Sequence, residues 1–322
     1  MNGAHRQRGI ALLIALLTVA LAAVLIAGLL DRGELALART RNALRGEQAQ
    51  AYAQGLEAYA ARVLLKDSDQ GPGDSNTDLW AMPLTPQVVP GGTIRASMRD
   101  LNGCFNLNNL LSQNSTATWA KMFGRLLEVR GVDPSVKGAV LDWLGAPGSG
   151  DASTTDAYYL AQPVPSRSAQ RVFAHVSELR LVRGVTSDVY ARLAPYVCAL
   201  PIGTLLNVNT ASVPVLRTLG VNILSEAQAE SLWQNGQASY DNEFRRNWTN
   251  NGIVVDPEIS AAMIGVESHY FLARSDIDLD GVPFTFFSVI QRPGLIVVER
   301  SRGSDAAPAV WDPPTAPAVT SR

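Results

Sequence analysis

Residues 10–30 read IALLIALLTVALAAVLIAGLL, 21 positions without a charge. A helix of that length rises ~31 Å, which matches the ~30 Å hydrocarbon core of a bilayer. The residues before it end in Arg6-Gln7-Arg8-Gly9. Positive charge stays on the cytoplasmic side, so the chain after Asp31 is expected to face the other way. A cleaved secretory signal has a shorter apolar core and a small-residue cleavage site behind it. Here the run is longer, and Gly9 stands in front of it. On hydropathy alone, a plain signal anchor accounts for the segment.

The next stretch, residues 31–66, holds helix formers and no proline. Apolar side chains recur at Leu37, Leu44, Tyr52, Leu56, Tyr59, Val63 and Leu64, spacings that mostly suit one helical face. With no Gly-Pro break between the two runs, one continuous helix from Ile10 to Lys66 is expected. Its front half would lie in lipid and its rear half against a folded domain.

Beyond it, residues 67–78 read as a loop and residues 83–92 are rich in Pro and Gly. Thr93 to Asp100 alternates apolar and polar residues, as a half-buried strand does. From Asn102 to about Gly265 the pattern is mostly helical. Alternation returns at Ser268 to Asp280, Asp280-Gly281 is a hairpin signal, and Val282 to Gln291 and Gly294 to Glu299 read as two further strands. Strand chemistry on both sides of the helical block points to an insertion into one antiparallel sheet, an α+β layer against the long helix. The expected boundaries are 1–9 for the leader and 10–30 for the transmembrane helix. Residues 31–100 and 265–302 form the two parts of the sheet domain, 101–264 the all-helical insert, and 303–322 a disordered Pro/Ala-rich tail.

A basic leader ending in glycine, then a membrane helix flowing into an amphipathic one, resembles the type IV prepilin and pseudopilin class. The resemblance implies cleavage between Gly9 and Ile10 by a prepilin peptidase and methylation of the new N-terminus at Ile10. The class has a glutamate at the fifth mature position, where this chain has Ile14. An unpaired carboxylate in lipid is costly, and a subunit without one need not neutralise a neighbour above it, which suits a filament tip. Together with DLNGCFNLNNLL, VLDWL, DAYYLAQ, SELRLVRGVT and ALPIGTLLNVNTAS, this pattern resembles the K-type minor pseudopilins of type II secretion systems. That family implies a pilin-like domain split by a helical insert, sister minor pseudopilins as partners, and a single-pass inner-membrane protein with its C-terminal domain in the periplasm. It also implies calcium. The function expected is to initiate or cap the tip of the periplasmic pseudopilus in support of protein export. The alternative is a signal-anchored periplasmic binding module that enters no filament.

Inside the block, Phe105-Asn106-Leu107-Asn108-Asn109-Leu110 echoes Leu206-Asn207-Val208-Asn209-Thr210-Ala211. The asparagines suit helix caps and turns. The pattern also resembles helix-hairpin-helix units that bind DNA backbone, but residues 201–236 carry Arg217 alone as a base beside Glu226 and Glu230. Without a basic surface no nucleic-acid partner is expected. A net charge of −2 implies no strong electrostatic partner either.

Two cysteines, Cys104 and Cys198, in an oxidising compartment are expected to pair; two buried thiols are the alternative. For calcium, Asp142, Asp151 and Asp156 flank a Gly/Ser-rich loop with hard oxygen donors. Asp276-Ile277-Asp278-Leu279-Asp280-Gly281 resembles the start of an EF-hand loop, but its twelfth position is Phe287, so a strand with one solvated face is expected instead. There is no G-x-S-x-G, phosphate-cradling loop or H-E-x-x-H, and His5, His175 and His269 are scattered. No enzyme is expected.

Overall fold

A computed structural model of the chain describes residues 4–69, 71, 73–235 and 241–303. The Pro/Ala-rich stretch from 304, and with it the expectation of disorder, lies outside them. Helix α1 runs unbroken from Ala4 to Ser68, ~98 Å at 1.5 Å per residue. Between Leu12 and Leu30 its side chains are exposed on every face, and it is the one helix among the described residues long and apolar enough to cross a membrane.

The rear of α1 buries a narrow stripe: Ala49, Ala53, Leu56, Ala60 and Leu64. Spacings of three and four place them on one face. This corrects the face expected from the large apolar residues. Leu37, Leu44 and Tyr59 are exposed, and Tyr52 and Val63 only flank the contact. Alanines lack the bulk that draws attention to a hydrophobic pattern, yet they let the helix lie close on the sheet.

The strands in chain order are β1 Leu84–Val89, β2 Gly92–Asp100, β3 Phe105–Asn106, β4 Val197–Cys198, β5 Leu206–Asn207, β6 Ile264–Gly265, β7 Tyr270–Leu279, β8 Val282–Gln291 and β9 Ile296–Arg302. Five make one antiparallel sheet in the order β1-β2-β7-β8-β9. Its central seam joins segments that lie far apart in the chain, with Gly92 opposite Leu279 and Asp100 opposite Phe271. β1 falls where proline and glycine argue for a loop. Pro86 is tolerated because β1 is an edge strand whose register shifts between Leu84 and Gln87. The β7–β8 hairpin turns on Asp280 and Gly281, both at positive φ, the backbone that tight two-residue turns require.

Along β7 and β8, Ile277, Leu279 and Phe286 cover Ala49 and Ala53, while Phe271, Ala273 and Ile290 cover Ala60 and Leu64. Trp80 closes the far end, edge-on to Phe271 with ring centroids 5.2 Å apart.

The remaining helices are α2 Thr116–Val129, α3 Ser135–Leu144, α4 Ala152–Leu160, α5 Ser187–Leu193, α6 Val213–Leu216, α7 Glu226–Asn235 and α8 Asp241–Asn250. They surround a separate core that includes Phe105, Trp119, Phe123, Trp143, Phe173, Phe244 and Trp248. The repeated sequence is repeated in space: β3 pairs in parallel with β4, and β5 in parallel with β6. This helical body leaves the sheet at Asp100 and returns at Tyr270. That is the opposite end from the two hairpin turns, which touch α1 at Arg45 and Gln48.

Candidate functional site

Two places carry the features that matter for assembly: the bare front of α1, and the junction through which α1, the sheet and the helical body are tied together. At the front, residues 12–30 are exposed and apolar, and Ile14 is 57% exposed. Thr18, the one polar side chain in that stretch, returns its hydroxyl to the Ala15 carbonyl at 2.9 Å. Gly9 and Ile10 lie within α1, but their side chains fall outside the described set. Such a surface is stable in lipid or against other apolar helices, and not in water.

At the near end of the sheet, Arg45 donates to Asp280 at 3.0 Å and Gln48 to the Pro90 carbonyl at 3.0 Å. Midway, Arg300 grips Glu57 through two bonds of 2.8 Å, and the Ser288 hydroxyl adds a third at 2.5 Å. Burial alone would raise the Glu57 pKa, but the Arg300 and Ser288 hydrogen bonds and the Arg300 charge outweigh it and hold it low.

At the far end, Arg292 bridges Asp74 at 2.8 Å and Asp67 at 3.3 Å. Asp74 also accepts from the Ser268 amide at 2.7 Å. Burial, with the charges of Asp78 and Asp74, pushes Asp67 up to about 6. Asp74 is raised too, chiefly by burial. Beside them Asp100 is enclosed. It accepts from the Asn102 amide and the Ser268 hydroxyl, each at 2.7 Å, and from the Thr210 hydroxyl. Burial pushes it up to about 6 against those three bonds.

The asparagine motifs do more than cap helices. Asn102 accepts from the His269 and Tyr270 amides at 3.0 Å, so it holds the returning chain against the departing one. Asn108 donates to the Phe173 and Leu200 carbonyls and accepts from the Phe173 amide at 2.8 Å. Asn106 accepts from the Leu200 amide at 3.0 Å, and Asn207 donates to the Asp74 carbonyl at 3.0 Å and the Ser268 hydroxyl at 2.7 Å. All are buried. Most of the backbone groups these amides satisfy lie on segments outside the helices and strands. Cys104 and Cys198 are joined by a disulfide across 94 positions, which fastens the start of the insert to β4.

The three aspartates expected at the calcium loop do not form one ligand set. Asp142 accepts from the Gly150 amide at 2.9 Å and faces Arg183 at 3.5 Å. Asp151 caps α4 through Ser153. Asp156 accepts from the amide and hydroxyl of Ser168 and faces Arg167. Donors stand where an ion would need oxygens, so these residues as arranged do not fit a shared cation. Among the described residues the carboxylates that converge are Asp67, Asp74 and Asp78, with Arg292 already between the first two. The acidic run at 276–280 is hairpin, as expected, with Asp276 held by Arg274 and Asp278 by the Gly281 amide.

A family model for type II secretion system protein K matches residues 103–202. The type II secretion system protein K of Pseudomonas aeruginosa is 36% identical over 89% of this chain and 89% of its own length. The chain belongs to the type II secretion system protein K family. The protein K of Pectobacterium carotovorum is 35% identical over 71% of this chain and 75% of its own length. Among solved structures, a chain of the GspK-GspI-GspJ complex from enterotoxigenic Escherichia coli superposes with a TM-score of 0.65 at 25% identity. That match covers 82% of this chain and 99% of the other. As a protein K, the chain is a minor pseudopilin of a type II secretion system. Its one apolar N-terminal helix fits a single-pass anchor.

Proposed function

We propose that this protein K initiates or caps the tip of the periplasmic pseudopilus and so supports export across the outer membrane. The observation that carries the reading is the placement of the insert. The helical body leaves and rejoins the sheet at the end farthest from the exposed apolar half of α1. A subunit anchored by that half would hold the body outermost, where it obstructs addition of another subunit above.

The front of α1 supports the same reading. Ile14 offers no carboxylate to a neighbour's ammonium group, so nothing at this position calls for a subunit above it. The resemblance supplies the rest of the proposal. A prepilin peptidase cuts between Gly9 and Ile10, and Ile10 is methylated. The helix sits in the inner membrane with the folded domain in the periplasm. Sister minor pseudopilins, of the kind in the GspK-GspI-GspJ complex, bundle against α1.

Placing Ile14→Glu in the full chain tests the role of that position. Loss of co-purification with the other minor pseudopilins, together with reduced secretion, is expected; unchanged assembly and secretion would overturn it. Mass measurement of the mature N-terminus tests the rest. A chain beginning at methylated Ile10 supports the filament reading, and one retaining Met1 supports the signal-anchored binding module instead.

A further inference from the structure

On the sheet face turned away from α1, a cleft of about 300 Å³ opens between sheet and insert. The volume lies at the lower end of the range that takes up a small molecule. Leu272, Phe287 and Val289 line it from the sheet, and Val176 and Leu200 from the insert. The register of the strands orders its charges. Arg99, Leu272, Val289 and Glu299 lie side by side on β2, β7, β8 and β9. At ~4.8 Å per strand, the arginine and the acid stand ~14 Å apart along the sheet. The two positions between them are apolar.

Arg99 is the unusual member of that row. Its guanidinium donates to the Pro195 carbonyl at 2.7 Å and, among the described residues, makes no ion pair. Asp100, the next residue of β2, points to the other face and is satisfied by three donors of its own. Burial holds the Arg99 pKa below the ordinary arginine value, and the charges of Asp100 and Tyr196 offset it only in part. A guanidinium carries five N–H donors in a fork that matches a carboxylate, and one neutral carbonyl balances none of its charge. Arg180 borders the same cleft, with its guanidinium 4.1 Å from the Tyr190 ring centre. Among the described residues, Glu299 is the one acid that lines it.

We propose that this cleft binds a small monocarboxylate with an aromatic or aliphatic body, its carboxylate paired with Arg99 and its body laid over Leu272 and Val289. The excess of positive charge selects the ionised end, and the apolar row selects the rest. The volume suits one small molecule rather than the ~800 Å² face of a protein partner. The site is independent of the tip role, since Arg99 takes no part in the α1 junction.

The test uses the full chain in detergent, with benzoylbenzoate, a photoreactive aromatic acid, as the probe. Light-induced adducts are expected on residues 174–176, 198–201, 270–272 and 287–289. Excess phenylbutyrate should reduce them several-fold, and phenylbutanamide, its uncharged counterpart, should not. Arg99→Met should lower labelling about tenfold, the scale of one hydrogen-bonded charge. Ala174→Trp, which fills the cleft from an exposed position and leaves Arg99 in place, should lower it as well. Glu299→Gln removes a like charge and should raise labelling about twofold. Equal competition by acid and amide, adducts spread over unrelated surfaces, or labelling indifferent to Arg99→Met would each overturn the proposal. Competition by a peptide ending in phenylalanine but not by phenylbutyrate would assign the cleft to a polypeptide terminus and overturn it too.

Discussion

Where α1 meets the sheet, the fastenings carry charge: Arg45 with Asp280, Arg300 with Glu57, and Arg292 with Asp67 and Asp74. Inside the insert ion pairs also occur, with buried Asp256 held by Arg125 and Lys121, but the irregular segments are fastened by neutral groups: the buried amides of Asn106, Asn108 and Asn109, and one disulfide. The difference follows from the partners available. A single helix on a sheet offers side chains to side chains. The insert's irregular segments offer unpaired backbone, which an amide matches with a donor and an acceptor at once. The α1 junction should therefore respond to pH and salt, and the insert to redox and to loss of single amides.

The largest expected effect is on the covalent tie. Cys104→Ser with Cys198→Ser should lower stability by about 4 kcal/mol, the chain-entropy scale for a loop of this length, read by urea unfolding. A drop confined to the α1–sheet contact would break the comparison. Next, Asn108→Ala leaves the Phe173 amide and the Phe173 and Leu200 carbonyls without their partner. About 3 kcal/mol should be lost, with little dependence on pH.

The third effect belongs to the far end of the charged junction. Asp67 and Asp100 are both raised to about 6 in the folded chain, from an ordinary value of 3.8. The folded state therefore holds protons that the unfolded state has released between those values, and stability falls as pH rises through that window. Asp100→Asn should flatten the slope by about 1.4 kcal/mol per pH unit within that window. A parallel slope in the variant would assign the pH dependence elsewhere. Smaller still, Glu57→Gln should cost about 1 kcal/mol, since Arg300 is largely exposed, and that cost should shrink in high salt. Smallest of all is calcium. With Asp142, Asp151 and Asp156 each bonded as described, chelator should leave the melting temperature unchanged. A clear rise with calcium would show that the loop rearranges.

Legibility in the sequence tracked the range of the signal. The membrane run, β2, β7, β8 and β9, and the split of the sheet around a helical block are all written in local periodicity or in the order of segments. The buried stripe of α1 was less legible, because Ala49, Ala53 and Ala60 contribute little to an apolar pattern. β1 was hidden by Pro86. The charged junction had no local signal: Asp74 and Arg292 are separated by 218 positions, and the aspartates of 67–78 read as an ordinary polar loop. The asparagine repeats were visible, but their long-range bonds were not. Nothing in the spacing of Asn108 points to Phe173.

The seam between β2 and β7 has a consequence for how the molecule is made. Asp100 and Phe271 stand side by side in register, although everything between them must emerge first. Until the last three strands arrive, the alanine stripe of α1 has only β1, β2 and Trp80 for cover. Closing so long a connection as loose coil carries an entropic cost. A body that has already collapsed around Phe105, Phe123 and Trp248 presents its two ends as neighbours ~4.8 Å apart, the separation of paired strands. The helical excursion is thus also a clasp: its own prior folding converts a remote pairing into a local one and shortens the time for which a sticky edge is on show.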